Sequence, residues 1–218
     1  MIRFFALIAL GLSMVGTAKA EANRPVLVEL FANQNCPACP KAHRTMKQIQ
    51  AERDDIFILT WTVNYWDYLG DPDPMAMAAA KDRQMAYTDR MDLRAPYTPQ
   101  SFYDGAKDCP GTRKRDIRRN ISARMKARTD ALPDMIWDGE TGQISLDGEP
   151  ETPLQVSIVE YRSGDANETN MVNPVTQMIT HDAWTGGATA YDVACDGSCA
   201  ALLHHPEVGE VLAVLPLD

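Results

Sequence analysis

Val26-Leu27-Val28-Glu29-Leu30-Phe31, followed after four residues by Cys36-Pro37-Ala38-Cys39, is the stretch that decides the fold. A short, continuous apolar run reads as a buried strand. Two cysteines separated by two residues, at the junction of a strand and a helix, have the layout of a dithiol redox centre. A thiolate at a helix N-terminus is stabilised by unpaired backbone N–H groups and by the helix dipole. The order therefore predicts Cys36 as a partly exposed attacking thiolate and Cys39, about one turn in, as a more buried resolving thiol. Exchange would run through a mixed disulfide on Cys36 that Cys39 releases. Pro37 suits the first helical turn, where its missing N–H goes unused, and Pro37 and Ala38 face a bound partner.

Outward from this stretch, residues 37–51 read as a helix, and Ile56 to Val63, rich in β-branched and aromatic residues, as a second strand. Asp73-Pro74 predicts the start of a second helix running to about Met91. Thr98-Pro99-Gln100-Ser101-Phe102-Tyr103 reads as a strand entered through a proline, ended by the turn signal Asp104-Gly105. Thr112 to Arg128 reads as a third helix with an apolar stripe of Ile117, Ile121 and Met125 and otherwise basic faces. Beyond Leu132-Pro133 the texture becomes strand-like. Leu154–Tyr161, Val172–Thr180, Ala188–Val193, Ala200–His204 and Val211–Leu215 alternate with Gly-containing turns.

Arg3, the apolar run Phe4 to Val15 and Ala18-Lys19-Ala20 form a secretory signal, predicting a periplasmic or secreted chain that begins at Glu21. No later stretch is apolar for long enough to predict membrane insertion after cleavage. Export puts the 5 cysteines where disulfides persist, and the odd count leaves at least one of them free or paired with another molecule. Residues 21–129 hold 18 basic and 14 acidic side chains, whereas residues 130–218 hold 16 acidic ones and a single base, Arg162. That break predicts two units: residues 21–131, and a β-rich unit of residues 132–218. So acidic a second half argues against nucleic acid as a partner.

The order strand, Cys-x-x-Cys, helix, strand, helix, Thr98-Pro99, strand resembles the thioredoxin fold. That resemblance implies an α/β domain with a central mixed sheet flanked by helices, followed here by the β-rich module. It implies that Pro99 is a cis proline opposite the dithiol and that Thr98 pairs its backbone with substrate. It also implies a buried acid on the first strand as proton acceptor for Cys39, a role that Glu29, seven residues before Cys36, matches in type. A narrower set recurs in one order: Leu30-Phe31, Cys36-x-x-Cys39-Pro40, Tyr65-Trp66-Asp67-Tyr68-Leu69-Gly70, Arg83-Gln84, Tyr97-Thr98-Pro99-Gln100 and Trp184-x-Gly186-Gly187. Together these resemble the secreted thioredoxin-like family catalogued as domain of unknown function 1223.

The function expected is thiol–disulfide exchange with thiol- or disulfide-bearing proteins or small thiols, with no cofactor. Tyr65, Trp66, Asp67 and Tyr97 are candidates to face the substrate, because ligands bind at the C-terminal ends of strands in open α/β sheets. The same residues also suit packing between the two halves. Two other readings stay open. Cys36, Cys39 and His43 form a Cys-x2-Cys-x3-His set whose soft sulfurs suit copper or zinc. Alternatively, the pair is a structural disulfide in a non-catalytic scaffold. Cys195-Asp196-Gly197-Ser198-Cys199 predicts a disulfide across a hairpin tip, which leaves Cys109 as the odd thiol.

Overall fold

The computed structural model describes residues 24–128 and 132–217. The signal segment and the boundary at residue 131 lie outside them. Four strands, β1 (Val26–Ala32), β2 (Ile56–Thr62), β3 (Gln100–Tyr103) and β4 (Lys107–Pro110), form a mixed sheet in the order β2-β1-β3-β4. β1 runs parallel to β2 and antiparallel to β3. β1 is buried at every position, so it is apolar on both faces rather than alternating. The outward residues Val26, Val28, Leu30 and Ala32 meet α1 (Cys39–Ala51) and α3 (Lys114–Ala127) through Ala42, Met46, Ile49, Ile117 and Ile121. Leu27 and Phe31 meet α2 (Ala78–Arg90) through Ala80 and Tyr87.

The remaining strands are β5 (Asp134–Asp138), β6 (Gln143–Asp147), β7 (Gln155–Tyr161), β8 (Val175–Thr180), β9 (Thr189–Asp192), β10 (Ser198–His204) and β11 (Val211–Pro216). They form two antiparallel sheets, β11-β10-β7-β8 and β5-β6-β9. Val159, Tyr161, Val175, Ala200, Leu202 and Val214 share one apolar cluster with Leu27, Phe31, Leu59 and Trp61. The two halves read from charge thus meet over a common core. On its far side, β7-β10-β11 packs through Val156, Ile158, Ala201 and Leu203 against Ile144, Leu146 and Trp184. β5 and β6 lie in the stretch that the sequence marks only by turn signals. They are short, and β5 alternates exposed and half-buried residues, which weakens any apolar signal.

Two helix expectations change. Asp73-Pro74 does not begin α2, which starts at Ala78. The Asp73 carboxylate instead accepts the Met75 and Gln34 backbone N–H groups, and Met77 N donates to Thr62 O, holding this segment as a turn and an extended residue. In α3, Ile117 and Ile121 are buried but Met125 is exposed, and Arg124 turns inward instead. Arg124 pairs with buried Asp104 and with Glu210, joining the basic helix to the acidic half.

A buried ion pair sits in the shared core. Glu29 is fully buried and accepts from Arg83 Nε (2.7 Å), Trp61 Nε1 (2.9 Å) and Tyr87 OH (2.6 Å). Arg83 Nη2 also donates to Tyr87 OH at 2.7 Å, and the guanidinium lies over the Trp61 and Tyr87 rings. At the turn after β3, Gly105 takes φ +63°, and a Cβ there would come 2.7 Å from Tyr87 Cε1, so glycine is required on both counts.

The open edge of β2 is covered from the second half. Thr60 N donates to Asn173 O (3.1 Å), Thr60 Oγ1 to Val172 O (2.6 Å) and Asn173 Nδ2 to Ile58 O (2.9 Å).

Removing one member of the Glu29–Arg83 pair leaves an uncompensated buried charge. Glu29→Ala is expected to lower unfolding free energy by about 3–5 kcal/mol. The double variant Glu29→Leu/Arg83→Met is expected to recover most of that loss. Urea denaturation of the three proteins measures both outcomes.

Candidate functional site

The approach to the cysteines is a tight, polar-braced turn. Asn33 Oδ1 accepts Asn35 N–H (2.8 Å), and Cys36 N donates to Asn33 O (3.2 Å). Asn33 Nδ2 donates to Val63 O (2.7 Å) and Asp67 Oδ1 (3.1 Å). Gln34 N donates to Asp73 Oδ2 at 2.7 Å, and the Gln34 and Asn35 side-chain amides both donate to Asp71 O at 2.9 Å. The segment 67–73, which begins with the 3-10 turn Asp67–Leu69, therefore clasps residues 33–35 from outside the sheet.

Cys36 and Cys39 are joined in a disulfide with Cα atoms 5.4 Å apart. Cys39 is the first residue of α1, and Pro40 follows where no N–H partner is needed. Pro37 and Ala38 are exposed. The expectation of a partly exposed Cys36 is corrected, because Cys36 is 2% and Cys39 1% exposed and both pack in the α1/α3 core. The clasp draws the turn down, so the loop presents Pro37 and Ala38 rather than sulfur.

Opposite α1 lies the Tyr97–Gln100 loop, with a cis Thr98–Pro99 peptide. Gly111 N donates to Pro99 O (2.9 Å), and a Cβ on Gly111 would sit 3.4 Å from Ala42 Cβ and 3.5 Å from Pro99 Cβ. Pro99 is thus brought beside α1, one turn beyond Cys39. Trp66 Nε1 donates to Thr98 Oγ1 at 2.6 Å, and its ring packs against the cluster that contains both cysteines. Tyr65 OH donates to Gln84 Oε1, and burial pushes this phenol up to about 12. Buried Gln84 donates to Tyr97 O and Gln100 Oε1, at 2.8 and 2.9 Å. Tyr97 OH donates to Asp108 Oδ2 at 3.3 Å, and burial pushes its phenol upward. Gln84 ties α2 to the proline loop, a role visible in the sequence only as part of the Arg83-Gln84 motif.

Of the expected site residues, Cys36, Cys39, Thr98, Pro99, Trp66 and Asp67 gather around the motif and its clasp. Glu29 does not. The strand alternates, so Glu29 points to the α2 face with Leu27 and Phe31, while the cysteines lie on the α1 face. Its carboxylate is spent on Arg83, which removes it as proton acceptor for Cys39. Tyr68, next to the aromatic candidates, is exposed.

The Cys36, Cys39 and His43 metal set is not assembled. Among the described residues, the one group of His, Cys, Asp or Glu ligand atoms within 4.8 Å of one another is Glu160, Cys195 and Cys199. His43 instead lines a cleft of about 510 Å³ with Arg44, Lys47, Asp73, Met75 and Met171. Its Nδ1 is buried without a hydrogen-bond partner.

Cys195 and Cys199 are also joined. The link spans the connection between β9 and β10, which belong to different sheets, rather than a hairpin tip. Cys109 is the free, buried thiol. It lies 3.3 Å from Tyr103 OH, and burial pushes its thiol up. That makes it a poor nucleophile.

Burial, reinforced by Lys47 and opposed by Asp73, holds His43 down at about 4. Burial, against the His205 backbone bond, holds His204 at about 4. Both lie below an exposed histidine's usual value near 6.5, so the unfolded chain takes up more protons below that pH. Stability present above pH 6.5 is therefore expected to fall as pH drops toward 4, by about 1.4 kcal/mol per pH unit for each histidine. Denaturation curves from pH 7 to 4 are expected to show a slope about one proton shallower in His43→Gln and in His204→Gln.

Two solved structures share the architecture. Protein AGR_C_4864 from Agrobacterium tumefaciens is 22% identical with a TM-score of 0.73, covering 88% of this chain and 94% of its own. HBP35 of Porphyromonas gingivalis is 14% identical with a TM-score of 0.58, covering 88% and 74%. At such identities the likeness is one of fold. No curated protein matches the chain. The family model described as protein of unknown function (DUF1223) matches residues 27–191, across both the dithiol motif and most of the β-rich half, and the chain belongs to that family.

Proposed function

We infer that this is an exported thiol–disulfide oxidoreductase of thioredoxin-like build, acting through Cys36 and Cys39 on thiol-bearing proteins or small thiols. The observation that carries the reading is the Cys36–Cys39 disulfide at the entrance of α1, with the Thr98–Pro99 loop packed beside that helix. A partner thiolate attacks Cys36 Sγ, the intramolecular S–S bond breaks, and Cys39 leaves as a thiolate. In the opposite direction, Cys39 thiolate displaces the partner from Cys36. Cys36 is the attacked sulfur because it lies outside the helix, between the clasped turn and exposed Pro37. Trp66 holds Thr98 by its hydroxyl, which leaves the Thr98 backbone to meet an extended partner segment.

Both sulfurs are enclosed, so access requires residues 33–35 to lift from Asp67, Asp71 and Asp73. That enclosure also favours a second reading, in which the disulfide is a permanent staple in a binding scaffold. The same experiment separates the two. Cys39→Ala is expected to accumulate mixed disulfides through Cys36. Asp73→Ala removes two backbone hydrogen bonds and is expected to speed reduction of Cys36–Cys39 by dithiothreitol ~5–30-fold. If no trapped species form, insulin is not reduced and Asp73→Ala leaves the rate unchanged, the staple reading stands and the oxidoreductase reading falls.

A further inference from the structure

The asymmetry expected of a reactive cysteine pair, one sulfur at the surface and one beneath, is found at the other disulfide. Cys195 sits at the surface in the loop between β9 and β10, and Cys199 is 2% exposed on β10. Cys36 and Cys39 are both enclosed, at 2% and 1%. A disulfide opens only where a thiolate can reach a sulfur along the S–S axis, and exposed disulfides are the labile ones. The loop is tied at its two ends, by Val193 N to Gly142 O (2.9 Å) and by Ser198 Oγ with Ser163 Oγ, while at its tip Cys195 Sγ lies 3.3 Å from Gly197 O and Gly197 takes φ +148°.

The surroundings are acidic. The Glu160 carboxylate lies within 4.8 Å of both sulfurs and accepts from Thr176 Oγ1 at 3.1 Å. Asp196 stands between the two cysteines, and exposed Asp192 precedes them. The opposing base is Arg162, one residue beyond Tyr161, which pairs with Ser198 across the sheet.

We propose that Cys195–Cys199 is a second thiol–disulfide exchange site, opened at Cys195 by thiols that carry neutral or positive charge. The external thiolate bonds to Cys195 Sγ, the Cys195–Cys199 bond breaks, and Cys199 leaves with the electron pair and takes a proton from water. A second thiol then attacks the external sulfur of the mixed disulfide. It releases Cys195 as a thiol and leaves the two external thiols joined as their disulfide. Two electrons pass from the two external thiols to the protein disulfide. Glu160 and Asp196 repel most strongly a thiolate that carries a further negative group and least one that carries a compensating cationic group, so the site selects by charge. This inference does not depend on chemistry at Cys36.

The test uses the oxidised mature chain, exposed at low ionic strength to cysteamine, mercaptoethanol or mercaptoethanesulfonate, quenched with acid and mapped by peptide mass spectrometry. The first adduct is expected on Cys195, at least ~10-fold ahead of any adduct on Cys36 or Cys39. At equal thiolate concentration, cysteamine is expected to react ~10-fold faster than mercaptoethanesulfonate. That ratio shrinks toward one in 1 M salt and falls in Glu160→Gln. A first adduct on Cys36, Cys39 or Cys199, or no adduct on Cys195, overturns the site. An adduct on Cys195 with no charge preference overturns the stated partner class. Failure of Cys36–Cys39 to exchange in the same samples would count against the oxidoreductase reading above and leave this one standing.

Discussion

The Glu29–Arg83 pair is the constraint around which the molecule is organised. It is buried where the first sheet, α2 and the second sheet meet, and it has no water to fall back on. Every oxygen of the carboxylate is used, by Arg83, Trp61 and Tyr87. Buried ion pairs contribute little net stability compared with well-packed apolar residues, but a single misplaced partner is severe. The pair therefore fixes geometry more than it adds energy. It sets the rotation of α2 against β1, and with it the position of Gln84, one residue on, which anchors the Thr98–Pro99 loop.

Much of this was legible in the residues. Val26–Phe31 is apolar at all but one position, so a strand buried on both faces was readable. The Cys-Pro-Ala-Cys spacing located α1, and Thr98-Pro99 located β3. Glu29, the one charged residue in that strand, is visible in the sequence, but its partner Arg83 is not. Period two assigns it to a face, yet nothing local says which face carries the cysteines. Arg83 is 54 residues away, and the pairing exists only once α2 is laid on the sheet. Asp73-Pro74 is ambiguous for a related reason. Its carboxylate could cap its own helix or a distant turn, and the distant Gln34 N–H won.

The two disulfides show the same limit on a smaller scale. Spacing identifies a cysteine pair, but exposure is a tertiary property. Asn33, Gln34 and Asn35 carry nothing in the sequence that names their partners. Their partners Asp67, Asp71 and Asp73 turn that loop inward and close the first pair off. The short loop around Asp196-Gly197 has no such clasp, and Cys195 stays in contact with solvent. The aromatic stretch after β2 packs between the two halves and braces the proline loop. Trp66 reaches the proline loop while packing into the core, and Tyr65 braces Gln84.

The cover over β2 has a consequence for how the chain reaches its native state. β2 is an edge strand, and its unpaired backbone groups are a template for adding a foreign strand. Thr60 and Ile58 are sealed by Val172 and Asn173, more than a hundred residues downstream. The inner face of the same sheet waits for β7, β8, β10 and β11. Until that later sequence arrives, the first half presents both a bare strand edge and a bare apolar face. The acidic second half thus supplies both the edge cover and the apolar partner surface that the first half lacks by itself.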